Sequence, residues 1–149
     1  MKPGLKPNLL LDEQLCFALY AASRRMTATY RPLLEALDLT YPQYLVMLVL
    51  WERDGITVRE LGNRLQLDSG TLTPLLKRLE QANLLARRRR ESDEREVEIT
   101  LTKAGRNLQE RAIEVPRCLA KKLCMSADDF IRLRDELKSL ATQLAPTDE

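Results

Sequence analysis

Leu15, Leu19, Ala22, Met26, Tyr30, Leu33 and Leu37 recur at steps of 4, 3, 4, 4, 3 and 4. Such steps keep side chains on one face of a helix, so the chain is expected to open on a long amphipathic helix. Asn8 or Asp12 can cap its start, and Pro32 inside the pattern is expected to kink or divide it. Thr40-Tyr41-Pro42-Gln43 reads as a capping box with proline in the first turn. Residues 44–51, Tyr-Leu-Val-Met-Leu-Val-Leu-Trp, have no polar face, which predicts a buried central helix. Asp54-Gly55 ends it. Thr57-Val58-Arg59-Glu60 is a second capping box, opening a short helix over 58–65 with Leu61 and Leu65 one turn apart. Gln66-Leu67-Asp68-Ser69 then makes a tight connection to a helix over 70–82 that buries Leu72, Leu75, Leu76 and Leu79. Two short helices so joined predict a helix-turn-helix.

Residues 84–90 and 96–101 flank the polar Glu91-Ser92-Asp93-Glu94, and Val97, Ile99 and Leu101 alternate with Glu98 and Thr100. Period two predicts a β-hairpin. The expected fold is therefore mainly α with a small β-hairpin, in the order of a winged helix-turn-helix. Thr102 caps a further helix to about Val115, where Pro116 interrupts it. Ser126-Ala127-Asp128-Asp129 caps a last helix carrying Phe130, Leu133, Leu137, Leu140 and Leu144. Its heptad-like steps predict packing against a partner helix. The tails, 1–8 and 145–149, are expected to be mobile.

The length of 149 residues, 44% hydrophobic and 31% charged, suits one domain over residues 1–149. Histidine is absent, which excludes Ser-His-Asp and Cys-His catalysis and the HExxH zinc site. The glycines at 4, 55, 62, 70 and 105 build neither a GxGxxG nor a Walker A loop. No apolar run approaches the ~18–20 residues of a membrane span. MKPGLKPN lacks the apolar segment of a secretory signal, so a cytoplasmic protein is expected. Cys16, Cys118 and Cys124 make no disulfide framework and no CxxC; neither a metal nor a cofactor is expected.

Charge changes the picture locally. Residues 71–90 hold Lys77, Arg78, Arg87, Arg88, Arg89 and Arg90 against Glu80 alone, a candidate phosphate footprint. In a winged helix the second helix of the pair enters the major groove N-terminus first. Here that end offers Ser69, Gly70, Thr71, Thr73 and Pro74, with Lys77 and Arg78 further along. Hydroxyls can reach phosphates or base edges, and proline can lie against a thymine methyl. Arg95 at the wing tip suits a minor groove. Asp93 either pairs with the Arg95 side chain or forms an Asx turn. A dimer on a pseudo-palindromic double-stranded operator would double these contacts.

Cys16 lies among apolar residues, where a thiol is most often inert packing. Two features point further. A helix capped at Asp12 puts Cys16 in or just after the first turn, whose positive end attracts anions such as a thiolate. Tyr20 is four positions on, and Tyr30 and Tyr41 are further phenols able to donate to a thiolate.

Leu15-Cys16-Phe17-Ala18-Leu19-Tyr20, Leu39-Thr40-Tyr41-Pro42-Gln43-Tyr44-Leu45, Leu67-Asp68-Ser69-Gly70-Thr71-Leu72-Thr73-Pro74-Leu75-Leu76-Lys77 and Asp93-Glu94-Arg95 together resemble the organic-hydroperoxide-sensing repressors of the MarR family. The resemblance covers about residues 9–145. It implies a homodimeric winged helix-turn-helix repressor, with dimerisation helices over about 9–37 and 103–145 and a DNA-binding region over about 57–101. Cys16 resembles the peroxide-sensing thiol, and Tyr30 and Tyr41 the hydrogen-bonding tyrosines. Tyr20 resembles a third pocket tyrosine reaching from the partner subunit. Helix 69–82 resembles the DNA-reading helix, and Asp93 with Arg95 the wing tip. One branch of the family caps its sulfenate with a small thiol; the other forms an intersubunit disulfide. With Cys118 and Cys124 this chain resembles the second branch, either cysteine being the candidate resolving thiol. Their segment lacks a glycine. The implied signal is an organic hydroperoxide, favoured by the apolar Phe17, Leu19 and Met26. Two other readings are a repressor released by non-covalent binding of a phenolic or aromatic ligand, and a thiol peroxidase, which the absence of histidine disfavours.

Overall fold

The computed structural model describes residues 9–147. The expected tail 1–8 and the last two residues lie outside them; residues 145–147 are exposed and carry no helix. The chain divides into two compact units, one up to Val115 and one from Pro116.

In the first unit a 3-10 turn, Leu11–Glu13, precedes helix α1, Leu15–Glu35. The expectation that Asp12 caps α1 is corrected. Asp12 lies within the 3-10 turn, and the capping position is Gln14, extended and without a side-chain cap bond. Asn8 lies outside the described residues. Pro32 does not divide α1; it falls in the last turn, where little of the hydrogen-bond ladder remains to be broken. Only the end of the predicted stripe is buried. Leu37 enters the core and Tyr30 and Leu33 pack against it half-buried, while Leu15, Leu19 and Met26 stay exposed; Leu34, outside the predicted stripe, is buried as well. Arg111 of the later helix α5 donates to the carbonyl of Ala36 just past α1.

Helix α2, Tyr41–Glu52, carries the predicted reciprocal box of Thr40 and Gln43. It buries Tyr44, Val46, Met47, Val49 and Leu50, though Leu48 is exposed. Strand β1, Ile56–Thr57, leads into α3, Val58–Leu65, through the Thr57–Glu60 box. Gln66 takes a left-handed conformation, φ 56°, at the turn. Helix α4, Ser69–Gln81, follows, capped by Asp68. Leu72, Leu76 and Leu79 are buried, but Leu75 is only half-buried, at the margin of the packed face.

The hairpin of β2, Leu85–Arg89, and β3, Val97–Leu101, pairs Leu85 with Leu101, Arg87 with Ile99 and Arg89 with Val97. β1 adds to the other edge of β3, giving the antiparallel order β1-β3-β2. A two-residue strand is too short to show an alternation, so the pattern predicts only the hairpin. Helix α5, Lys103–Ala112, is capped by Thr102, and α6 is Glu114–Leu123. The helical break lies at Ile113, upstream of the expected Pro116. Proline cannot donate to the carbonyl four residues back, here Ala112, and its ring clashes with it, so the ladder fails one turn early.

In the second unit, α7, Ala127–Gln143, is capped as predicted, the Asp129 N–H donating to Ser126 Oγ at 3.1 Å. It buries no residue; Phe130, Ile131, Leu133 and Leu137 are exposed. Among the described residues no helix is long and apolar enough to cross a membrane.

Candidate functional site

Cys16 is the second residue of α1 and is exposed. Its amide is among the free N–H groups of a helix start. Phe17 and Leu19, next along the helix, are exposed apolar residues, as is Met26 further down α1. Tyr20, one turn on, is solvent-facing, with the Arg24 guanidinium 5.3 Å above its ring.

Tyr30 and Tyr41 form a separate centre. Their rings lie 5.1 Å apart, and Tyr44 completes a triangle at 5.9 Å and 6.5 Å. Burial, then the neighbouring Tyr41 and Tyr44 phenols, push the Tyr30 hydroxyl up to about 12. Burial raises Tyr41, and burial with Tyr41 raises Tyr44. All three therefore remain protonated donors at neutral pH. Tyr44 was not among the predicted pocket residues. Its spacing of three from Tyr41 inside one helix was the available signal, since it puts both rings on one face.

At 1.5 Å per residue, fourteen residues of continuous helix separate Cys16 from Tyr30 by about 21 Å along α1. Tyr20 is the phenol beside Cys16 in its own chain, and the Tyr30–Tyr41 pair cannot reach that sulfur within one chain.

The cluster's protons make a pH prediction. An ordinary tyrosine ionises near 10.0, so above that pH the unfolded chain binds fewer protons than the folded one. The stabilisation present below about pH 10 is lost as pH climbs through about 12. Tyrosinate absorbance should show late-titrating phenols, and the thermal midpoint should fall over this window. Tyr30→Phe should flatten that fall; an unchanged slope refutes the assignment.

At the other end of this unit, Asp68 Oδ1 accepts from the Thr71 N–H at 2.7 Å, a bond that holds its carboxyl below the usual range. Ser69, Gly70, Thr71, Thr73, Pro74, Lys77 and Arg78 are all exposed on α4, opposite its buried leucines. The Thr73 hydroxyl donates to the Ser69 carbonyl at 2.8 Å. Between α3, α4 and the wing lies a cleft of about 740 Å³, lined by Arg59, Asn63, Ser69, Thr73 and Arg95 among others. Arg59 and Asn63 were not predicted, although their spacing of four on α3 puts them on one face.

Most of the arginine run is engaged by neighbours within the chain. Arg87 is tied to Glu80 through both its backbone N–H and its guanidinium, each at 3.1 Å. Arg90 reaches Glu98 at 3.0 Å and Glu96 at 3.1 Å. Arg89 donates to the Glu94 carbonyl at 2.9 Å. Arg88 makes no ion pair among the described residues. Opposite charge from α4 and the return strand thus neutralises much of the surplus counted along residues 71–90. Of the two readings of Asp93 the Asx turn is the one found: Asp93 Oδ1 accepts the Arg95 backbone N–H at 3.0 Å, and among the described residues the Arg95 guanidinium makes no ion pair.

In the second unit Cys118 is half-buried within α6, and Cys124 is exposed just beyond it. Cys124 has φ 49°, the left-handed helix-exit conformation that glycine commonly fills. The glycine missing from this segment is thus replaced by a thiol, whose Sγ lies 3.5 Å from the Lys121 carbonyl.

A family model described as the transcriptional regulator SarA/Rot matches residues 28–112. The chain is 48% identical to an organic hydroperoxide resistance transcriptional regulator of Bacillus subtilis, over 92% of this chain and 93% of that one. Among solved structures it is similar to AbfR of Staphylococcus epidermidis in three forms. Reduced AbfR bound to DNA has a TM-score of 0.77 at 39% identity, covering 91% of this chain and 95% of that one. Overoxidized AbfR bound to DNA has a TM-score of 0.76 at 40%, covering 90% and 94%. The disulfide-formed protein has a TM-score of 0.66 at 42%, covering 87% and 91%. A mutant MarR of Escherichia coli complexed with operator DNA has a TM-score of 0.80 at 25% identity, covering 90% and 99%.

Proposed function

Because this chain belongs to the SarA/Rot family of transcriptional regulators and has the winged-helix fold of MarR-type proteins, we propose that it is a homodimeric DNA-binding repressor that senses organic hydroperoxides through Cys16. The observation that carries this is an exposed thiol in the first turn of α1, set in exposed apolar surface and one turn from Tyr20. The apolar faces left open on α1 and α7 are the surfaces that a second copy covers. That copy brings its Tyr30 and Tyr41 hydroxyls to Cys16 as hydrogen-bond donors. As a reader of chromosomal DNA it acts in the cytoplasm.

The thiolate attacks the distal oxygen of the hydroperoxide. The O–O bond breaks, the alkoxide takes a proton and leaves as alcohol, and the sulfur becomes sulfenic acid. A partner thiol, Cys118 or Cys124, attacks that sulfur, forming an S–S bond and releasing water. Bridged residues need Cα atoms within about 7 Å of each other, so in a reduced dimer that holds the thiols further apart closure must move the helices that carry them. Moving those helices shifts the distance between the two reading helices, which must match half-sites about one DNA turn apart.

In a gel shift, reduced protein should retain a duplex from the region upstream of its own gene. Cumene hydroperoxide should release it, and dithiothreitol should restore it. Release that survives prior alkylation of the thiols overturns this reading, as does consumption of many peroxide equivalents per subunit. Peptide mapping of the non-reduced protein identifies the capturing cysteine.

A further inference from the structure

The wing leaves α4 through Ala82, Asn83 and Leu84 alone. Its base is held by hydrogen bonds to backbone carbonyls: Leu84 N–H to the Leu79 carbonyl at 3.0 Å, Thr102 N–H to the Leu84 carbonyl at 3.1 Å, and the Thr102 hydroxyl to the Asn83 carbonyl at 2.7 Å. Beyond that base, and beside the buried leucines that α4 and β2 share, one α4 side chain among the described residues hydrogen-bonds across the joint. Glu80, in the last turn of α4, uses both carboxylate oxygens on Arg87 of β2. Arg87 pairs with Ile99 and shares a strand face with buried Leu85. Less than a third of its side chain is exposed, at 28%, and its Nε is buried without a partner. A guanidinium so placed serves an internal contact.

We infer that Glu80 is a positioning residue for DNA recognition: through Arg87 its carboxylate locks the wing at a set angle to the reading helix, and Arg87 serves this lock, not a phosphate. The inference rests on the DNA-reading assignment above. An isolated exposed ion pair stabilises a fold little; this one matters for its leverage. The polar tip begins six residues beyond Leu85, about 20 Å away at 3.4 Å per residue, so a swing of about 10° at the base carries it on the order of 3 Å. That displacement exceeds the tolerance of a hydrogen bond. With α4 seated in one groove, the exposed Arg95 at the tip would then miss its contact.

The test exploits a difference in sign. Glu80 is an acid beside a DNA-facing surface, so on charge alone its removal strengthens binding. The lock predicts the reverse. Affinity is measured by fluorescence anisotropy with the full-length protein, a labelled duplex from the region upstream of its own gene, and a scrambled duplex. Glu80→Gln and Arg87→Gln should each weaken specific binding by similar factors, roughly tenfold, the scale of one charged hydrogen-bonded contact. The double variant should be no worse than either single one. Glu80→Asp keeps the charge and shortens the reach, and should weaken binding too. The slope of log affinity against log salt should stay unchanged in all of them. Tighter binding by Glu80→Gln overturns the lock. So does a slope shallower by about 0.9 in Arg87→Gln, the signature of a lost phosphate contact. Circular dichroism melts confirm that each variant is folded, and Glu80→Asp, the mildest, carries the test if a glutamine variant unfolds. Wild-type protein that does not distinguish the two duplexes removes the DNA-reading assignment and the lock with it. Wild-type discrimination with unaltered Glu80 variants removes the lock alone.

Discussion

Cys16→Ser should bind operator DNA as tightly as the natural chain and remain bound in organic hydroperoxide that strips the natural chain off. The first half follows from where the residue sits. Cys16 occupies an exposed first turn of α1, and the reading surface proposed above is built from α3, α4 and the wing, so a change of sulfur to oxygen touches none of its residues. The second half follows from the chemistry, since a serine hydroxyl neither forms a sulfenic acid nor accepts a disulfide. The effect is large because the switch is all-or-none at each sulfur: emptying an operator from about 99% to about 1% occupancy requires a differential of about 10⁴ in affinity. Titration with and without cumene hydroperoxide reads it directly. A serine variant that still dissociates on oxidation removes Cys16 as the sensor. A companion variant lacking both Cys118 and Cys124 separates oxidation from bridging. AbfR has been seen on DNA while overoxidized, and separately in a disulfide form. The companion variant should become oxidised at Cys16 and keep its DNA, because oxygen added to one exposed sulfur closes no bridge.

Gly105→Ala should cost about 3 kcal/mol or more in folding stability, from the strain of forcing atoms into a packed site. A Cβ at Gly105 would lie 2.0 Å from the Leu84 carbonyl oxygen and 3.1 Å from its carbon. Both are backbone atoms at the wing base, so no rotamer change relieves the clash. Relief by moving α5 is resisted from three sides. The Gly105 N–H donates to Thr102 Oγ at 3.0 Å, its carbonyl accepts the Trp51 indole N–H at 2.9 Å, and the Leu84 carbonyl already accepts the Thr102 N–H at 3.1 Å. For a chain of this length the thermal midpoint should drop by roughly 6–12 °C. A drop of less than about 2 °C would mean that the approach of α5 to the wing base is looser than these distances. Any loss of DNA binding in this variant should recover on cooling, because the reading residues are untouched.

Local bonds explain which parts of the fold are legible along the chain. The Thr40–Gln43 and Thr57–Glu60 boxes and the Thr102 and Ser126 caps join residues three apart, and all occur as the spacing predicts. Where two local solutions compete, spacing alone does not choose. Asp12 has the chemistry of a helix cap and is taken up by a 3-10 turn. Pro116 marks a break but places it one turn late, because the clash falls on the carbonyl four residues behind.

The chain by itself determined a winged helix-turn-helix with an isolated thiol near its front, since capping, periodicity and turn chemistry act over a few residues and need no partner in space. Only the tertiary structure decided which charges and phenols are free to act. Four consecutive arginines look like one basic patch until strand pairing brings Glu96 and Glu98 beside them and α4 brings Glu80, leaving Arg88 and Arg95 to face outward. Tyr20 and Tyr30 look equally near Cys16 on a helical wheel, but the straight run of α1 leaves one beside the sulfur and carries the other far down the rod. Coulomb attraction and hydrogen bonds depend on distance in space, and for residues far apart along the chain that distance is set by packing.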